Sequence, residues 1–125
     1  MSKQLWIKQN LKEGEIYAGI VLGKNGQQDH YLILLAATTQ PLNWESAKTW
    51  AISVGGELPT RSEQAILYGN LKSEFEPRWH WSYEEYDDLT DYIWVQSFDN
   101  GGQSYSHKLE EYRARAVRRV PIIQS

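Results

Sequence analysis

The side chains with the most chemical potential gather between residues 79 and 92. Trp79, Trp81, Tyr83, Tyr86 and Tyr92 interleave there with Glu84, Glu85, Asp87, Asp88 and Asp91. Aromatic side chains that carry a polar handle are enriched where proteins grip partners, because they bury a large area and still satisfy a hydrogen bond. The segment therefore reads as an adhesive surface for a protein or a glycan, made by Trp79, Trp81, Tyr83, Tyr86, Asp88 and Tyr92. Period-two alternation puts Trp79, Trp81 and Tyr83 on one strand face, an arrangement that also suits a core. Tyr86 lies inside a charged stretch and is hard to bury.

The same stretch poses the metal question. Calcium takes six to eight oxygen ligands, and Glu84, Asp87, Asp88 and Asp91 are the carboxylates that would supply them. Their spacing fits no EF-hand loop, so a solvated acidic loop is the expectation, with Ca²⁺ the one ion it would suit and no other cofactor expected. His30, His80 and His107 show no metal-ligand spacing. An unrecognised enzyme would have to pair Glu84 or Asp88 with His80 or His107 as acid and base. No nucleophile elbow, phosphate loop or dinucleotide fingerprint occurs, and no catalytic residue is assigned.

Composition narrows the field further. The chain has 125 residues, no cysteine and a formal net charge of −3. Disulfide staples, thiolate chemistry and cysteine-based zinc sites are thereby excluded. Negative charge makes nucleic acid or an anionic membrane surface an unsuitable partner. Six tryptophans and eight tyrosines predict an aromatic-rich core with rings to spare, each ring burying roughly 150–250 Å². A strand-rich module with surplus aromatics also suits a homo-oligomer. The first residues, Met1 to Trp6, lack the pattern of a secretory signal. No apolar run approaches the ~20 residues that span a bilayer.

The elements that must position these residues follow from periodicity. Residues 1–14 are expected as a first strand or a loose arm. The runs 15–22 and 29–37, around Lys24-Asn25-Gly26, predict a β-hairpin whose second strand is buried on both faces. Asn43 caps a helix carrying Trp44, Ala47, Trp50, Ala51 and Val54 on one side, and Gly55-Gly56 ends it. Thr60 and Glu63 form a capping box that opens a second helix, with Arg61 in a structural role and Pro77 barring its extension. Residues 79–83 predict a strand, 84–91 an acidic loop, 92–98 a strand, 99–102 a turn, 104–108 a returning strand and 113–120 the last strand. On that last strand Arg118 shares a face with Ala114 and Ala116, which predicts pairing with a half-buried acid, Glu63 or Glu57. The whole is expected as one α+β domain spanning residues 1–125.

Three spaced motifs carry a family resemblance. Gly55-Gly56-Glu57-Leu58-Pro59-Thr60-Arg61-Ser62-Glu63 resembles the signature that opens the second helix in formylglycine-generating, sulfatase-modifying domains. It also resembles the collagen-like-protein C-terminal domain family of unknown function. Trp81-Ser82 with Trp94, Phe98 and Asn100-Gly101, and then Arg115-Ala116-Val117-Arg118, are similar to later motifs of that second family. The resemblance implies a C-type-lectin-like fold, with two helices beside a twisted antiparallel sheet and the first and last strands paired. Many compact proteins with this resemblance are encoded by bacteriophages or prophages, and the resemblance implies such an origin. The formylglycine-generating enzymes work through a cysteine pair that holds copper; with no cysteine here, the resemblance implies the fold and not that activity. The expected function is a non-catalytic binding module of phage or prophage origin, placed in the bacterial cytoplasm or on a virion. The alternative is an intracellular effector that binds and blocks a host defence protein.

Overall fold

A computed structural model describes residues 2–123; Met1 and the last two residues of the expected domain lie outside this range. The architecture is α+β, with three helices and two three-stranded antiparallel sheets. In chain order it runs α1 (Lys3–Asn10), β1 (Ile16–Val21), β2 (His30–Ala37), α2 (Trp44–Ser53) and α3 (Arg61–Leu71). After a short 3-10 turn (Lys72–Glu74) come β3 (Trp79–Tyr86), β4 (Leu89–Ser97), β5 (Gln103–His107) and β6 (Arg115–Pro121).

The first sheet has the order β1-β2-β6 and the second β3-β4-β5. Strand β2 is central, and its Leu32, Ile33, Leu34 and Leu35 are all buried. Alternation sends Ile33 and Leu35 into one core cluster with Trp44, Ala47, Ala51, Leu58, Trp81, Ile93 and Val95. It sends Leu32 and Leu34 into the other, with Leu67, Phe75, Phe98 and Val117. One strand thus has helix α2 and the second sheet on one side, and α3 on the other. Its near-continuous apolar run signals this double burial.

The two long helices begin at side-chain caps, and α2 ends at a glycine. Asn43 accepts the Ser46 amide at 2.9 Å, and Gly55 takes a φ of +91° just past the end of α2, a conformation that glycine adopts without Cβ strain. A Cβ on Gly56 would collide with the Val117 carbonyl. That close approach lets Glu57 and Val117 exchange two backbone hydrogen bonds of 2.9 Å, so the chain joins the edge of β6 before α3 starts. At Thr60 the capping box is complete: the Glu63 amide donates to the Thr60 hydroxyl at 3.2 Å, and the Thr60 amide donates to Glu63 Oε1 at 2.9 Å.

Four expectations are corrected. The N-terminal segment is neither strand nor loose arm but helix α1, capped by Ser2. None of its residues is fully buried; it is held by Trp6, whose ring lies 4.3 Å from that of Tyr31. Residues 84–91 do not form a loop: β3 continues to Tyr86, β4 starts at Leu89, and Asp87 turns the chain with a φ of 44°, a conformation Asp tolerates. The first and last strands do not pair with each other; both flank β2. Arg118 does not reach Glu63 or Glu57. It grips Glu15 through two hydrogen bonds, of 2.7 and 3.0 Å, and holds the Glu15 carboxyl below its usual range.

Arg119, the next residue, takes the two acids instead. Its guanidinium makes two bonds to Glu63, of 2.7 and 2.8 Å, and one of 2.7 Å to Glu57. Glu63 is only 1% exposed. His30 donates to it from Nε2 at 2.7 Å, because an ionised carboxylate can only accept. Burial alone would raise the Glu63 pKa, but the Arg119 bonds and charge, the Thr60 amide and His30 outweigh it, and the carboxyl is held below its ordinary value.

A second buried titratable group belongs to β3. His80 is 3% exposed, with its ring edge-on to Phe75 and Phe98 at 5.3 and 5.0 Å. Its Nδ1 donates to the Arg78 carbonyl at 2.9 Å, which fixes the neutral tautomer. Burial pushes its pKa down to about 4, against that hydrogen bond, and the Arg115 and Arg113 charges act in the same direction as burial. In the unfolded chain a histidine binds its proton near pH ~6.5. Between those values the unfolded state holds more protons than the folded one, so acid favours unfolding. Stability is therefore expected to be complete above pH ~6.5 and to fall by about 3 kcal/mol as the pH drops toward ~4. Urea denaturation at a series of pH values checks this: His80→Leu should flatten the slope in that window, and an unaltered slope contradicts it.

Candidate functional site

The second sheet has two unlike faces. Ile93 and Val95 of β4 point into the core with Trp81. The opposite face receives the first turn of α3 at one end only. There Gln96 pairs with Gln103 of β5 and Trp94 with Tyr105, while Tyr92 pairs with His107. Residues two apart on a strand share a face, so these three cross-strand pairs form a ladder running away from α3.

Beyond the reach of α3 the ladder is aromatic and open. Tyr86 stacks on Tyr105 with ring centres 4.1 Å apart and lies 4.9 Å from Trp94. Tyr92 stands edge-on to Tyr105 at 6.0 Å and to His107 at 5.3 Å. Tyr92 is 36% exposed and Tyr105 49%. Offset and edge-on contacts of this kind are worth about 0.5–1.5 kcal/mol each beyond area burial, so the rings hold one another in place without being covered.

The near end of the ladder is locked by Arg61, the first residue of α3. Its guanidinium carbon lies 3.4 Å above the Trp94 ring. Its Nε donates to Gln103 Oε1 at 3.1 Å, and Gln103 Nε2 donates back to the Arg61 carbonyl at 3.0 Å and to Gln96 Oε1 at 2.9 Å. The Arg61 amide, one of the helix's unpaired N-terminal donors, donates to Glu84 Oε2 at 3.0 Å. An acid at that end is also favoured by the helix dipole. Arg61, Trp94, Tyr83, Glu84, Glu85 and Asp87 line an open hollow of about 460 Å³ beside the ladder.

The residues expected to bind a partner are not all brought together. Tyr86 and Tyr92 lie in the ladder. Tyr83, 49% exposed, lines the hollow next to it, and Asp88 is exposed at the tip of the β3–β4 hairpin. Trp79 lines a different groove, with Pro41, Pro77 and Tyr112. Trp81 cannot contact a partner: it is fully buried, and its indole donates to the Leu42 carbonyl at 2.7 Å. Alternation fails after Trp81 because the register of β3 against β4 shifts between Trp81 and Glu85. Gln64 satisfies the strand there, donating to the carbonyls of His80 and Trp81 at 3.3 and 3.0 Å.

The four carboxylates considered for Ca²⁺ do not converge on one point. Glu84 caps α3 and Asp91 pairs with Lys108 at 3.1 Å. Among the described residues no three His, Asp or Glu side chains converge as a metal site requires. Of the acid and base groups considered for catalysis, His80 lies in the core and Glu84 at the helix start, while Asp88 is exposed at the hairpin tip and His107 lies in the ladder. Arg61, Trp94, Gln103, Tyr105 and His107 were not expected at the site. The spacing of Tyr92 and Trp94 against Tyr105 and His107 is the signal that finds them.

No family model matches the chain, and no curated protein matches it. No helix among the described residues is long and apolar enough to cross a membrane.

The lock on the ladder is directly testable. Arg61→Ala should cost about 1–2 kcal/mol in urea denaturation, the sum expected for a stacked cation and one side-chain hydrogen bond. It should also shift the Trp94 ring resonances in NMR spectra. Arg61→Lys should restore little, because an ammonium lacks the planar fork. Unshifted Trp94 resonances in Arg61→Ala would show that the stacking is absent.

Proposed function

We propose that the chain is a non-catalytic binding module that captures a protein or glycan on the aromatic face of the β3-β4-β5 sheet. One observation carries this reading. Tyr86, Tyr92, Tyr105 and His107 form a mutually braced ring cluster in which Tyr92 and Tyr105 are exposed and Tyr86 and His107 half-buried, on a sheet whose Trp81, Ile93 and Val95 face the core. Exposed apolar area in one patch is costly to keep in water and marks contact surfaces. The pre-set rings lose little conformational freedom when a partner lands, which favours affinity. The surface is broad and shallow, a form suited to a macromolecule more than to an enclosed small ligand.

A C-type-lectin-like assignment belongs to the same proposal. In its support are the hairpin, the two consecutively capped helices and the last strand returning to the first sheet. A phage or prophage source, with a place in the bacterial host cell or on a virion, rests on the resemblance of the Gly55–Glu63, Trp81–Gly101 and Arg115–Arg118 motifs.

Screening the protein against a displayed random-peptide library and a glycan array tests the reading. Ligands selected by the unaltered chain should bind at least ~10-fold more weakly to Tyr92→Ser/Tyr105→Ser, about 1.4 kcal/mol, while the melting temperature changes by only a few degrees. Ligands that bind both forms equally, or no selected ligand in either format, would contradict it.

A further inference from the structure

We infer that the partner is a protein presenting a lysine- or arginine-rich segment to this face, an inference that rests on the binding reading above. Residues 83–92 carry five carboxylates and no lysine or arginine. Two are engaged within the fold, Glu84 by the Arg61 amide and Asp91 by Lys108. Glu85, Asp87 and Asp88 are exposed, and no cation pairs with them among the described residues. Glu85 and Asp87 line, with Trp94 and Tyr83, the hollow beside the ladder, and Asp88 follows Asp87 at the hairpin tip.

Aromatic faces are electron-rich and attract cations, most strongly when a carboxylate nearby adds its charge. The ladder already holds one such cation in the Arg61 guanidinium over Trp94. The tyrosines further along offer the same kind of surface with no internal cation assigned to it. Phosphate backbones and acidic glycans would meet three carboxylates that form no ion pair among the described residues, and a neutral sugar would leave those charges unmatched. A basic peptide segment satisfies rings and carboxylates together, and its approach would be steered by the net charge of −3.

Fluorescein-labelled decapeptides of alternating glycine–arginine, glycine–lysine, glycine–serine and glycine–glutamate provide the probes, with anisotropy at low ionic strength as the readout. The two basic peptides should bind at least ~10-fold more tightly than the serine peptide, about 1.4 kcal/mol, and should weaken as salt is added. The triple variant Glu85→Gln/Asp87→Asn/Asp88→Asn should remove most of that preference. Its substitutions are isosteric, and asparagine tolerates the positive φ of position 87, so folding is preserved. Equal binding of basic and serine peptides, a preference that survives the triple variant, or displacement of the peptides by spermidine at matching affinity would overturn the inference. If array ligands are lost in Tyr92→Ser/Tyr105→Ser but kept in the triple variant, the aromatic-face reading stands and the basic partner does not. If no ligand depends on the tyrosines, both fail.

Discussion

The fold depends on one carboxylate placed where water cannot reach it. Glu63 is the N3 residue of α3, and it closes the capping box, receives the Nε and Nη2 edge of Arg119 from β6 and accepts His30 from β2. Taking a carboxylate out of water costs several kcal/mol unless its lone pairs are filled, and here four donors fill them. The donors come from two strands of the first sheet and from the helix's own start. Glu63 therefore ties the start of α3 to both β2 and β6 of that sheet, while Leu67 of α3 packs with Val117 in the core.

That placement is what makes the exposed face specific. Because α3 begins at a fixed point, Arg61 arrives over Trp94, its amide arrives at Glu84, and Gln103 is drawn into the same network. The helix covers the Gln96 end of the second sheet and leaves the Tyr92–Tyr105 end bare. Hydrophobic burial has no direction of its own and could not choose this boundary. A buried ion pair contributes little net stability against an apolar replacement, and its role here is to select one arrangement of helix and sheets.

Much of this order is legible in the residue string, and the failures have a common cause. Asn43, Gly55, Thr60 and Glu63 act through neighbours three or four positions away, so their caps can be read locally. The unbroken apolar run of β2 likewise predicts a strand between two layers. What could not be read depends on partners far along the chain. Arg118 and Arg119 are adjacent, and which one meets Glu63 is decided by the register of β6 on β2, where Arg119 stands opposite Leu32. The acidic run 84–91 looks like a loop by composition, yet it forms a hairpin because Tyr86 and Ile93 have places to pack. Helix α1 has no periodic signal because its anchors, Trp6 on Tyr31 and Arg118 on the Asn10 carbonyl, are long-range, and its apolar residues Leu5, Trp6 and Ile7 are consecutive, a spacing no helical period predicts. At the site, Tyr86 and Tyr92 stand out among charged neighbours, whereas Tyr105 and Trp94 acquire meaning only through the β4–β5 pairing.

A double-mutant cycle between Glu63 and Arg119, followed by urea denaturation at neutral pH, addresses the central claim most directly. Arg119→Met should cost about 3–5 kcal/mol, because it strands the buried Glu63 carboxylate, and Glu63→Gln about 1–3 kcal/mol, because Arg119 is 26% exposed and keeps Glu57. The double variant should cost about as much as Arg119→Met alone, giving a large coupling energy. Costs that simply add, or single losses below ~1 kcal/mol of the kind surface pairs give, would show that the helix is not held by this pair.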